Sequence, residues 1–359
     1  MCKCYLCGCE ITKKNESKEH IIPNALGGRQ KSKILLCKKC NNDTGRFEEE
    51  LCKVLNFFIS AFQVKRERGK IPVIKAITES GEKIYLKEGL KPERATKVDL
   101  HKGFIRAAND DNAKRALLGM KKKNPEINID EIMNNREERE EYLNEGVVFD
   151  LSLNYDVMKA ISKCIINFSL INNIEKEKLE QLIAFIKGTS TDNIVELYNG
   201  RSPYNHNNDI ISVVSIIKSQ KLKKIVCYLQ FFNFYKFYVV LDDSYNGELQ
   251  YNDYIFYSDG NIDDININVN YFEEDINVIW KTDKLKEDLS LVLNKIIGSS
   301  MRNEQKRLIK KCLSKLERKY PRETNPEITE DMIVTLSELI ADKFIPFYKN
   351  IMIHNKNKT

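Results

Sequence analysis

Nowhere in this 359-residue chain do about eighteen apolar residues run consecutively, so no segment reads as a membrane span. The start of the chain offers no secretory leader either. A polar, cysteine-rich stretch stands where the apolar segment would be. The 15 glycines include no glycine-rich phosphate loop, which excludes the common nucleotide cradles. No internal repeat is present. Histidine is scarce, with four in all, so a histidine in a suggestive context stands out.

What is present fits a globular protein. Apolar residues make up 42% and charged residues 31% of the chain, and its length predicts two or three domains. Ten cysteines in a long chain without a leader predict a reducing, cytoplasmic setting. They read as metal ligands plus a few core thiols, not as a disulfide framework. The net charge is +6, and it is unevenly placed: residues 1–70 hold 15 Lys and Arg against 8 Asp and Glu, leaving 43 against 44 in the remainder. A basic N-terminal module on a neutral body predicts a polyanion partner there, nucleic acid first.

The hydrophobic pattern predicts an α+β chain. Phe47, Leu51, Val54, Leu55, Phe58 and Phe62 recur at helical spacing over Thr44–Lys65. Alternation on both sides of Ser80-Gly81 predicts a hairpin, and a strand followed by a helix from Asp110 or Asp111 comes next. "NNREEREEY" reads as a solvated charged face. Two helices are expected across 155–187, then an antiparallel meander from "IISVVSIIKS", "KIVCYLQFF" and "YKFYVVLDD". Three helices are expected near 284–297, 303–319 and 329–349, interrupted by Pro321, Pro326 and Pro346. The expected organisation is a module at 1–68 and a mixed helical and antiparallel-sheet body at 69–359, with sub-boundaries near 150 and 281.

The first residues carry the chemistry. Cys4-Tyr-Leu-Cys7-Gly is one C-x2-C knuckle and Cys37-Lys-Lys-Cys40-Asn is a second. Four thiolates suit a tetrahedral ion, and so soft a ligand set favours zinc. Cys2 and Cys9 form no such pair and receive no role. Cys52, Cys164, Cys227 and Cys312 sit in apolar patterns and are expected in the core. Between the knuckles lies Glu19-His20-Ile21-Ile22-Pro23, then Leu26-Gly27-Gly28.

Cys-x2-Cys, Glu-His-Ile-Ile-Pro, Leu-Gly-Gly and Leu-Cys-x2-Cys-Asn-Asn, in this order, resemble the HNH endonucleases of the ββα-metal superfamily, over roughly residues 4–60. The resemblance implies a zinc-stapled module that hydrolyses DNA phosphodiester bonds. It makes His20 the general base and places Glu19 and Asn41 at the family's two positions for a catalytic Mg²⁺ or Mn²⁺. Phosphodiester hydrolysis needs an activated water and a cation against the developing charge. An imidazole suits the first need and hard oxygen donors the second. Asn41 stands where the family has its third histidine, and Glu19 replaces the commoner Asp. The family's middle Asn would fall near Ser32. Asn42 competes with Asn41 for the ligand role.

Arg29, Lys31, Lys33, Lys38, Lys39 and Arg46 surround the motif and are expected phosphate contacts. The rest of the chain is expected to supply specificity or regulation, through an activating ligand, a partner protein or self-association. Antiphage defence or restriction is the leading role by analogy, and a mobile-element or homing nuclease the second. The competing class is a zinc-stapled binding module without catalysis, against which the retained Glu19-His20 pair argues.

Overall fold

Two short strands and one long helix carry the cysteine-rich N-terminus in the computed structural model, which describes residues 2–99, 104–137, 147–205, 209–277, 282–325 and 327–356. Strand β1 (Glu19–His20) pairs antiparallel with β2 (Lys31–Ser32), setting His20 opposite Lys31. Helix α1 (Lys38–Ala61) follows. It starts a turn and a half before the expected Thr44, because the second cysteine knuckle is itself helical. Cys37 is the N-cap, and its carbonyl accepts from the Asn41 N–H at 3.0 Å. The far end also comes early. Gln63 takes a left-handed φ of 52°. Val64 N–H then reaches back to Ile59 O at 3.1 Å and Gln63 N–H to Ser60 O at 3.3 Å, a Schellman stop with Gln where Gly is usual.

The chain forms two compact units, each discontinuous in sequence. The first comprises Met1–Ile74, Lys87–Gly89 and Phe149–Asn294; the second comprises Lys75–Leu86, Leu90–Val148 and Lys295–Thr359. The N-terminal module thus shares one compact unit with the segment after residue 149, where the sequence reading placed the whole of 69–359 in a separate body. Apolar burial explains the merger. Phe58 of α1 stacks on Phe232 with ring centroids 5.7 Å apart, and Phe62 stacks on the same ring at 5.8 Å.

Helix α2 (Tyr155–Ile171) and the helix Glu180–Lys187 occupy the expected two-helix region. Residues 159–169 of α2 are all buried, so it is a core helix and not a surface one. It packs against α1 and against the strands Ile211–Ser219 and Lys224–Phe231. Those strands and Tyr235–Asp242 form the expected antiparallel meander. Gln250–Ser258 adds to one edge and Glu196–Leu197 to the other, completing five strands. The opposite face of this sheet packs around Tyr198, Tyr228 and Phe272.

The second unit holds, apart from the end residues Ile74 and Lys87, a three-stranded sheet (Ile74–Ile77, Lys83–Lys87, Lys91–Arg94), whose first two strands are the expected hairpin. A two-stranded ribbon (Lys97–Asp99, Phe104–Arg106) and helices Asp110–Lys121 and Ile129–Asn134 follow. Most of "NNREEREEY" lies outside the described residues. Two expected C-terminal helices are one, Thr282–Lys319. The Gly298-Ser299-Ser300 run does not break it, since one helical glycine costs only about 1 kcal/mol. Helix Glu330–Lys356 likewise continues past Pro346, which interrupts a hydrogen bond but not the rod.

Candidate active site

The second knuckle sits on the first turn of α1, and the first knuckle closes on it from a tight turn. Cys4 N–H bonds Cys9 O at 2.8 Å, Gly8 N–H bonds Cys4 O at 2.8 Å, and Gly8 takes φ 75°. The Sγ atoms of Cys4, Cys7, Cys37 and Cys40 all lie within 4.8 Å of one another. This four-sulfur set can hold a zinc ion. The backbone N–H of Cys9 holds the Cys7 thiol below its ordinary value. At Cys37 burial pushes up most strongly, but the Cys40 N–H together with the Cys40 and Cys9 thiols outweighs it and holds the thiol below its ordinary value. Burial, then the crowding of Cys7 and Cys37, raises Cys40, and a dication would relieve that crowding. Cys9 is adjacent but outside the set. Its bond to Cys7 pushes it up to about 12, so it remains a thiol.

The motif between the knuckles is anchored by its apolar residues. Ile21, Ile22 and Leu26 are fully buried. The Leu-Gly-Gly element follows because the chain closes on itself there. A Cβ on Gly28 would lie 2.0 Å from the Ile22 carbonyl oxygen, and Gly27 has φ 95°. Just beyond, Tyr254 of the five-stranded sheet accepts from the Arg29 N–H at 2.8 Å.

His20 and Glu19 look in different directions. His20 is about one-fifth exposed, and its Nε2 is buried with no hydrogen-bond partner. The nearest carboxylate is Glu67 Oε2 at 3.6 Å, which also pairs with Lys31. Burial first, then the charge of Lys31, holds the imidazole below its ordinary value, so His20 is neutral at pH 7.

Glu19, 2% exposed, points into the unit. Its Oε1 lies 2.8 Å from the Lys163 ammonium of α2. Lys163 also pairs with Glu48 Oε1 at 2.6 Å and donates to Asn41 Oδ1 at 3.3 Å. Asn41 and Glu48 project from one face of α1, two turns apart. The oxygens converging here are hard donors that suit a cation, and the cation among them is the side chain of Lys163. Burial opposes the lysine's charge, but Glu48 and Glu19 outweigh it and hold its pKa above the ordinary value. Burial pushes Glu19 up, only partly offset by Lys163.

One helical turn along α2, Asn167 donates to Glu19 Oε1 at 3.1 Å and to His20 O at 3.3 Å. Its Oδ1 accepts from Tyr5 OH of the first knuckle at 3.1 Å. Asn167 therefore braces β1 from outside the motif, while Ser32, where the family's middle Asn would fall, bonds only locally to the Ile34 N–H.

Residues 4–53 match the family model described as HNH endonuclease. This segment is an HNH module. No curated protein and no solved structure matches the chain. Within the HNH module, Asn41 reaches the Glu19 cluster whereas Asn42 is solvent-exposed. Arg29, Lys31, Lys33, Lys38, Lys39 and Arg46 are all exposed. Lys31 is engaged by Glu67 and Lys33 by Glu16, and Arg46 lies over the Phe47 ring. Lys38 and Lys39 stand on the first turn of α1. Sequence reasoning missed Lys163, Asn167, Glu48 and Glu67. A signal for the first two existed: a lysine and an asparagine one turn apart inside the otherwise apolar "AISKCIINFSL". No described helix is long and apolar enough to cross a membrane.

Proposed function

We propose that the chain is a DNA endonuclease whose HNH module hydrolyses phosphodiester bonds with His20 as general base. The observation that supports this best is the state of His20: a neutral imidazole whose Nε2 is unpartnered, inside a module of the HNH family. Such a nitrogen can take the proton of an attacking water. Glu67, 3.6 Å away, is placed to steady the imidazolium as it forms. Exposed Lys38 and Lys39 offer contacts to the flanking phosphates. A structural zinc with four thiolates has no open position for water and serves to fix the knuckles.

A Mg²⁺ or Mn²⁺ ion would neutralise charge on the phosphate and leaving oxygen. Glu19 and Asn41 have the oxygen donors it takes, yet both are bonded to Lys163, so an ion there has first to displace the ammonium. That same contact favours a second reading, a zinc-stapled module that binds nucleic acid without cutting it. Under the first reading the remaining residues regulate the nuclease, through an activating ligand, a partner protein or self-association. Defence or restriction is then the role, and a mobile-element nuclease the second.

Plasmid nicking by the zinc-loaded chain, with Mg²⁺ and with Mn²⁺, separates the readings. Cutting by wild type that falls at least ~10²-fold in His20→Ala supports catalysis. A wild type that binds DNA and cuts it under neither ion supports the binding module.

A further inference from the structure

The second unit contains an open cavity of about 1720 Å³, larger than the roughly 300–1,000 Å³ of small-molecule pockets. Nine Lys and Arg side chains line it against three Asp and Glu, and they come from segments far apart in sequence. Arg94 and Arg106 belong to the strand and the ribbon on one side, with Arg136 just after the helix Ile129–Asn134, and Lys310, Lys315 and Arg318 belong to the helix Thr282–Lys319. On that helix, spacings of three and four residues put Lys310, Lys315 and Arg318 on one face with Ser314. Much of the charge is matched locally: Arg94 pairs with Glu82 at 2.7 Å, Arg136 with Asp110 at 3.1 Å and Arg307 with Glu304 at 2.5 Å. The lining is still mostly basic, and no lining acid stands on the helix that carries Lys310, Lys315 and Arg318. Like charges gathered around one space repel unless an anion lies between them. Phe104 also lines the cavity and is 43% exposed, a flat apolar face beside the cations.

A cationic groove with an exposed aromatic is the chemistry that holds a single strand: phosphates on Lys and Arg, a base on the ring. We propose that this cavity is a second nucleic-acid site, separate from the HNH module, that takes a single-stranded segment. The size of the cavity, the cations on both sides and the exposed ring favour a strand over a mononucleotide. The inference does not depend on cleavage by the HNH module, because its test reads binding.

The probe is a fluorescein-labelled dT12 strand titrated by anisotropy into full-length, zinc-loaded protein carrying His20→Ala, over a range of salt. The triple change Lys310→Glu, Lys315→Glu and Arg318→Glu alters only exposed side chains on one helix face. It is expected to weaken dT12 binding at least tenfold. It should also make the salt dependence shallower by about 2, from ~0.7 per phosphate contact on a single strand. Phe104→Ala is expected to cost at least about fivefold with the salt slope unchanged, because stacking is not ionic. Lys38→Glu with Lys39→Glu should leave this component in place. The proposal is overturned if the triple variant keeps wild-type affinity and slope, or if only the Lys38 and Lys39 changes remove dT12 binding. Inorganic tripolyphosphate that binds the cavity more tightly than dT12, with Phe104→Ala neutral, also overturns it in favour of a small polyphosphate.

Discussion

Lys163 Nζ lies 2.8 Å from Glu19 Oε1, and both side chains are almost wholly shielded from water. A buried ion pair is weak evidence for net stability, since desolvation offsets the attraction. Removing one partner is costly all the same, because the other is left buried and unpaired. Lys163→Met is therefore expected to destabilise the protein by about 3–5 kcal/mol. Lys163→Met with Glu19→Gln should recover part of that loss. Chemical denaturation of the two variants checks this; equal losses in both would mean that Lys163 acts through packing and not through charge.

The four-sulfur set should hold one zinc per chain. Cys37→Ser is expected to lose the metal and to disorder the N-terminus, since small zinc modules draw their folding energy from the ion. Cys2→Ser and Cys9→Ser should keep full zinc, because neither sulfur belongs to the set. Elemental analysis of the purified variants decides it. Zinc lost from Cys9→Ser would move the ligand assignment.

The pH profile of cleavage should report His20. Its pKa is lowered in the fold by burial and Lys31, so the neutral, base-competent form persists below the ordinary ~6.5. Activity is expected to be flat from pH 8 to about 6.5 and to fall only below that. Lys31→Met removes the second cause of the shift, and should move the acid limb upward. A limb that stays fixed would mean that another group titrates.

DNA duplex binding should weaken steeply with salt, and Lys38→Glu with Lys39→Glu should reduce the slope by up to about 2, near 0.9 per phosphate lost. Measuring the affinity of the His20→Ala background at several salt concentrations tests it. An unchanged slope would place duplex contacts away from the first turn of α1.

Much of the module was legible because its signals are local. The cysteine knuckles, Glu19-His20 and Leu-Gly-Gly each declare themselves within a few residues. The meander was legible from runs of β-branched and aromatic residues. The merger of the module with the segment after residue 149 was not, because it depends on contacts such as Phe58 with Phe232 that no window in the sequence joins. Lys163 was hidden in the same way: its meaning depends on Glu19 and Glu48 meeting it in space. Net charge misled differently. A body that balances to nearly zero still gathers Arg94, Arg136, Lys310 and Arg318 around one cavity, because balance along a chain says nothing about balance across a surface.

Asn167 braces Glu19 across 148 positions of sequence, with most of the second unit's N-terminal part encoded between them. During synthesis at about 5–20 residues per second, the brace therefore follows the motif by roughly 7 to 30 s. Until α2 emerges, a nascent chain carries the cysteines, Glu19 and His20 without Lys163 or Asn167 beside them. A ribosome-bound fragment that stops before residue 163 thus presents the motif with its carboxylate uncovered. The site is completed only once residue 167 has been made and α2 has folded, and this delays its mature form in time as well as in space.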